Sequence, residues 1–195
     1  MDFEPTIPFT KVVRVLGGGT PKTGDSDYWG GKIPFFTPKD ALGTYTLLTE
    51  KHITENGLAN CNSCLYPVNT VFMTARGTVG KLSLAGCPMA MNQSCYALVG
   101  AEGFGQYYTY HLAKHAIDSL KHKASGAVFD AIITRDFDSE TVPDISTDEA
   151  QSFEDKVISI YEAIRNNSNE NILLATLRDT LLPKLMSGEL SVADI

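Results

Sequence analysis

Long apolar runs are missing from this sequence. Nothing in it approaches the ~20 consecutive nonpolar residues that a membrane-spanning helix requires, and Met1-Asp2-Phe3-Glu4-Pro5 has neither the basic flank nor the apolar core of an export signal. A cytoplasmic location and no membrane partner are therefore expected. Cysteine is scarce: Cys61, Cys64, Cys87 and Cys95 are the 4 thiols in 195 residues, too few for a disulfide scaffold and suited to a reducing compartment. Catalytic frames are missing as well. There is no HExxH helix, no GxSxG elbow and no pair of carboxylates in a recognisable acid–base arrangement. The expectation is a protein that is not an enzyme and needs no cofactor.

Excess positive charge is also lacking. The chain carries 16 Lys+Arg against 23 Asp+Glu, a formal net charge of -7, which on its face opposes a phosphate-rich partner. The distribution softens this. Residues 1–147 hold 12 cationic and 14 acidic side chains, whereas residues 148–195 hold 4 and 9, so the acidity gathers in the C-terminal part. A local basic face on the near-neutral N-terminal part is permitted. With 43% hydrophobic and 20% charged residues, the chain has the material for one good core.

Short β-type runs separated by Gly, Pro, Asn and Thr fill the first hundred residues: Val12–Leu16, Ile33–Thr37, Val71–Thr74, Val79–Leu84 and Tyr96–Val99. Tyr107, Tyr110, Leu112, Ile117 and Leu120 then recur at near-helical spacing, predicting a helix over Gln106–Leu120. Two further strands are expected at Ala131–Thr134 and Glu140–Val142. The fold class is α+β, an irregular, loop-rich β domain with a packed helix over residues 1–147. Ser146-Thr147-Asp148-Glu149 is a helix start, and no proline recurs until Pro183, so residues 148–195 are expected to form a long coiled-coil-type helix. Phe153, Val157, Ile160 and Ile164 form a heptad seam that continues through Asn167 and Asn171 to Leu174. Such a helix either folds back on its own domain or stands out as a two-helix spacer. Asn at seam positions favours the spacer, since buried Asn pairs fix register. About 35 helical residues would reach ~50 Å.

Among local motifs, Gly17-Gly18-Gly19-Thr20-Pro21-Lys22-Thr23-Gly24 looks like a phosphate loop but has Pro21 where that pattern needs Gly, and a turn follows it instead of a helix. A flexible glycine turn, or a loop whose backbone approaches a ligand closely, remains. Cys61-x-x-Cys64 could begin a zinc site, but Cys87 and Cys95 are separated by seven intervening residues instead of two to four, so no metal is expected. His111 and His115 form an i, i+4 pair that would need a carboxylate to hold a metal. Thr74-Ala75-Arg76-Gly77-Thr78-Val79-Gly80-Lys81 is different: two cations, two hydroxyls and two glycines in a strand–turn–strand suit phosphate or guanine contacts. Asn92-Gln93-Ser94 adds amides suited to adenine, and Lys121-His122-Lys123-Ala124-Ser125-Gly126 adds a second basic turn.

The order of these motifs resembles the specificity subunits of type I restriction-modification systems, in particular one target-recognition domain followed by a helical region. The matching stretches are Gly18-Gly19-Thr20-Pro21, Tyr28–Phe35, Ile53–Leu58, Arg76–Lys81, Met91-Asn92-Gln93, Ser125-Gly126 and Leu181–Leu190. The resemblance implies a non-catalytic reader of one half of a split site on double-stranded DNA, with long helices as ruler and docking site for methyltransferase subunits, beside restriction subunits. Lys22, Lys32, Lys39, Arg76, Lys81, Asn92, Gln93, Lys121 and Lys123 become the candidate DNA contacts. Family members mostly carry two such units and this sequence has one, so it is either a half-subunit, for which a homodimer through the helices is expected, or a recombination cassette or excised fragment. Two-fold symmetry then implies a palindromic, interrupted target, its halves separated by at most roughly 15 base pairs. Two other readings stand beside this one: a protein-binding adaptor using the acidic helix, and a metal-dependent nuclease built on His111 and His115.

Overall fold

The computed structural model describes residues 7–123 and 131–191, and the chain divides into two compact units, Met1–Ser159 and Ile160–Ile195. The first unit is α+β. Strand β1 (Ile7–Pro8) leads into the short helix α1 (Phe9–Val12), followed by β2 (Val13–Gly17), β3 (Trp29–Phe36), β4 (Tyr45–Thr46), β5 (Lys51–Ile53) and helix α2 (Glu55–Ala59). After these come β6 (Val71–Thr74), β7 (Leu82–Ala85), β8 (Ala90–Met91), β9 (Cys95–Gly100), helices α3 (Gln106–Lys123) and α4 (Thr134–Asp138), β10 (Thr141–Val142) and helix α5 (Thr147–Met186).

The strands form two open sheets and a two-residue ribbon. The larger sheet runs β2-β9-β6-β7-β4, antiparallel except for the parallel β4–β7 pair; the smaller runs β5-β3-β8, with β8 parallel to β3; β1 pairs with β10. Side chains alternate across a strand, and β3 and β8 exploit this. Phe36 and Met91, paired in register, enter the main core with Phe72, Tyr66 and Cys95, whereas Phe35 and Ala90 enter a second cluster with Ile53, Trp29 and Leu58. One strand pair thus supplies both cores. Buried polar groups are matched: the Thr46 and Ser83 hydroxyls lie 2.8 Å apart, and Thr46 also donates to the Asp40 carbonyl at 3.0 Å.

Helix α3 packs on the larger sheet; of the residues that predicted it, Tyr107, Leu112, Ile117 and Leu120 are buried and Tyr110 is half-buried, while Ala113 and Ala116 complete the buried face. Two expectations fail. Val79–Leu84 does not begin a strand until Leu82, because Gly77 and Gly80 adopt φ of 80° and 76° and keep the segment before it a loop. The strand expected at Ala131–Thr134 is a single bridge between Ala131 and Arg76. Helix α4 follows instead, since the Asp136 carboxylate accepts the Ile133 N–H at 2.8 Å and Phe137 turns inward to stack on Phe9 at 5.1 Å.

Helix α5 starts where the hydroxyl and acidic residues placed it. The Ser146 hydroxyl accepts the Glu149 N–H at 3.2 Å, while the Glu149 carboxylate accepts the Ser146 N–H at 2.9 Å, a reciprocal cap. The Ser146 N–H and hydroxyl both donate to the Glu149 carboxylate, each at 2.9 Å, and hold its carboxyl below the usual carboxylate range. In the first unit, α5 is anchored to α3: Phe153 packs edge-on against Tyr108 and His111 at 5.7 and 5.3 Å, and Glu154 accepts the Tyr108 N–H at 2.6 Å. Phe153, first residue of the predicted seam, is therefore a packing residue of its own domain. In the second unit Ile164 is half-buried, Asn167 and Asn171 are exposed, and Leu174 is 53% exposed. Among the described residues, no helix is long and apolar enough to cross a membrane.

Candidate nucleic-acid interface

A cleft on the first unit gathers three cations from separate parts of the sequence. It is lined by Thr37, Pro38, Lys39, Glu50, Lys51, Arg76, Gly77, Asn92 and Ser94. Two buried side chains hold its walls in place. The Asp40 carboxylate accepts the Thr37 N–H and the Thr37 hydroxyl, each at 2.7 Å, and its other oxygen accepts the Glu50 N–H at 2.9 Å. The Thr49 hydroxyl accepts the Phe35 N–H at 3.2 Å and donates to the Lys51 carbonyl at 2.7 Å. Lys39 on its tight turn and Lys51 on β5 thereby face the same opening.

Arg76 reaches the cleft from the loop between β6 and β7. Buried Thr74 ties the base of that loop: its backbone N–H donates to Lys81 O at 2.9 Å, its hydroxyl accepts the Lys81 N–H at 3.0 Å and donates to the Thr78 carbonyl. On one side of the loop, Ala75 N–H donates to Ser94 O at 2.8 Å and Ile132 N–H to Ala75 O at 3.0 Å. Asn92 is half-buried, with its side-chain oxygen accepting the Ser94 N–H at 3.0 Å, which fixes the amide's orientation. The loop is thus a rigid mount for an exposed guanidinium.

Neighbouring depressions extend the surface. One shares Glu50 and Lys51 with the cleft and adds Thr23, Trp29, Gly30, Gly31 and His52. Lys51 Nζ lies 5.6 Å from the Trp29 ring centre, a cation–π contact joining the two. Another holds Gln93 with Gly18, Gly19, Thr20, Asn60 and Asn62, and the Thr20 hydroxyl donates to Gln93 Oε1. Within the glycine-rich segment, Gly17 and Gly24 are open and Gly18 is closely packed. A Cβ at Gly18 would stand 2.1 Å from Asn92 O and 2.7 Å from Met91 O, so glycine is needed for β8 to pass alongside.

Of the residues proposed from sequence, Lys39, Arg76 and Asn92 meet in the cleft, and Gln93 lies in the depression beside the glycine segment. Lys22 lines a separate turn with Asp25, and Lys32 and Lys81 are exposed without sharing the cleft. Lys121 and Lys123 do not sit on a turn: they are in the last turn of α3, and Ala124-Ser125-Gly126 lie outside the described residues. Lys121 Nζ donates to Gly80 O at 3.4 Å, and Lys123 pairs at 2.6 Å with Glu140, whose side chain is nearly buried. Lys123 is thereby committed to neutralising a buried carboxylate. Lys51 and Glu50 escaped the sequence reading, because Glu50-Lys51-His52 has no local pattern and only the pairing of β5 with β3 brings it beside Lys39.

The four thiols are free, and Cys87 packs against the core cluster that holds Cys95. Cys95 is fully buried in the main core, where desolvation, aided by the Asp40 carboxylate, pushes its pKa up to about 12 and disfavours a thiolate ligand. Among the described residues, no group of three His, Cys, Asp or Glu could hold a metal. His111 is occupied with Phe153, and burial, with Lys114 nearby, lowers its pKa.

Comparison with known proteins adds independent information. The chain is 30% identical over 166 residues to the specificity subunit of the type I restriction enzyme MjaIX of Methanocaldococcus jannaschii, covering 83% of this chain and 38% of that protein. It is 28% identical over 182 residues to the HindI specificity subunit of Haemophilus influenzae, covering 91% of this chain and 39% of the relative. The chain thus spans about two fifths of the length of these relatives. The crystal structure of the HsdS subunit from Thermoanaerobacter tengcongensis shares its fold, with a TM-score of 0.53 at 19% identity over 94% of this chain and 45% of that one. Residues 7–174 match the type I restriction modification DNA specificity domain, and the chain belongs to that family.

Proposed function

We propose that the N-terminal domain reads one half-site of a bipartite double-stranded DNA target for a type I restriction-modification complex, without catalytic activity of its own. The observation that carries this reading is the cleft that Lys39, Lys51, Arg76 and Asn92 line together. Cations positioned there neutralise phosphates, and an oriented carboxamide between them faces base edges. Lys22, Lys32, Lys81 and Lys121 extend the footprint as outlying phosphate contacts. The net charge of -7 is no obstacle, since affinity depends on the local field at the contact surface.

Residues 148–195 serve in this reading as the helical region that sets spacing and docks methyltransferase subunits, with restriction subunits completing the assembly. The exposed Ile160, Leu173, Leu174 and Leu177 are the apolar surface available for pairing, and a homodimer through this helix supplies the second half-site. The test is duplex binding as a function of salt. Each lost phosphate contact lowers the slope of log K against log salt by about 0.9. Arg76→Ala is expected to weaken binding and flatten the slope by about that much if it meets a phosphate. An unchanged affinity and slope removes Arg76 from the interface, and no duplex binding at low salt, alone or with a methyltransferase subunit, favours the adaptor reading.

A further inference from the structure

Glu50 is out of place on a surface for phosphates. Among the described residues lining the Arg76 cleft and the adjoining Trp29 depression it is the one acidic side chain, and it lines both. A carboxylate in a cleft lined by three cations repels a passing phosphate backbone, and its removal is the simplest route to tighter nonspecific binding. Its ion pair does not account for it. Glu50 Oε2 lies 3.4 Å from Lys39 Nζ, with the two side chains 56% and 79% exposed, and pairs this exposed contribute little to stability. Its backbone, by contrast, is tightly held by the Asp40 carboxylate at 2.9 Å, and the next residue by the Thr49 hydroxyl at 2.7 Å. A fixed stem carrying an exposed carboxylate is the arrangement of a reader, not of a stabilising pair.

We infer that Glu50 is a specificity-determining residue that accepts a hydrogen bond from an exocyclic base amine, cytosine N4 or adenine N6, in the DNA major groove. This deepens the DNA-recognition reading and rests on it. An amine donor offsets the unfavourable charge of the carboxylate only where the correct base is present; elsewhere Glu50 remains a penalty. Lys39, released from its weak pair, turns to a flanking phosphate.

The test is selection of the full chain on a randomised duplex library, repeated with Glu50→Gln, together with affinities for a fixed duplex of unrelated sequence. The wild-type chain is expected to enrich a cytosine or adenine at one position. Glu50→Gln is expected to lose about tenfold of preference at that position alone, and to bind the unrelated duplex more tightly with a steeper salt slope. An unaltered preference at every position, or weaker binding of the unrelated duplex, overturns the role of Glu50 while leaving DNA recognition standing. If the wild-type chain binds no duplex, alone or with a methyltransferase subunit, both readings fall. Melting temperatures of the two proteins should agree closely, since Glu50 is exposed.

Discussion

Replacing Asp40 with alanine separates positioning from charge in the proposed interface. Its carboxylate accepts three hydrogen bonds, from the Thr37 N–H and hydroxyl at 2.7 Å each and from the Glu50 N–H at 2.9 Å, and the residue is only 9% exposed. Hydrogen bonds to a charged acceptor contribute about 1.5–3 kcal/mol each, and water can reach part of the vacated space, so a net loss of about 3 kcal/mol is expected. In a domain of this size that lowers the melting temperature by roughly 6–12 °C. Thermal and urea unfolding would measure it. The binding assay discriminates further, by sign. Removing a negative charge should strengthen DNA binding if long-range electrostatics dominate; releasing the Thr37–Lys39 turn and the Glu50–Lys51 strand should weaken it. We expect weaker binding below the melting transition. A loss of stability under about 1 kcal/mol, or tighter binding, would refute the claim that Asp40 builds the cleft.

Gly18→Ala must displace the end of β8 and the residue after it, since the Met91 and Asn92 carbonyls lie 2.7 and 2.1 Å from the new Cβ, at a cost of about 1–3 kcal/mol; Gly17→Ala, with nothing within 4 Å, is the control, and equal melting temperatures would contradict the packing argument. Burial raises the Glu154 pKa, with Asp155 adding to it and the Tyr108 and Tyr107 N–H groups opposing it. The folded state therefore favours the protonated form, and that contribution is present below the unfolded value and lost as pH rises through the folded one. Glu154→Gln should accordingly be relatively more stable at pH 7 than at pH 4, and unfolding curves showing the opposite trend would count against burial as the dominant cause. Polar substitution at Val157 and Ile160 should convert a helix-paired dimer to monomer in sedimentation; a monomeric wild-type chain would remove the pairing model. Ile160, 57% exposed, is the cleaner probe because Val157 is half-buried.

Sequence by itself determined the elements whose signals are local. The Ser146–Glu149 cap and the long stretch without proline marked helix α5, and the apolar spacing of Tyr107, Leu112, Ile117 and Leu120 marked helix α3, because helix periodicity and capping are settled within a few residues. The ordered motifs carried the family, and the Arg76 loop was legible because its glycines, hydroxyls and cation are adjacent. Tertiary structure alone decided which cations share a surface. Lys39, Lys51, Arg76 and Asn92 come from four segments joined by strand pairing and by the buried Asp40 and Thr49, a juxtaposition with no sequence period. It also paired Lys123 with the buried Glu140 carboxylate, made Gly18 a packing requirement, and packed Phe153 of α5 against α3. In each case the deciding partner lies far away in the sequence, where composition and spacing carry no information.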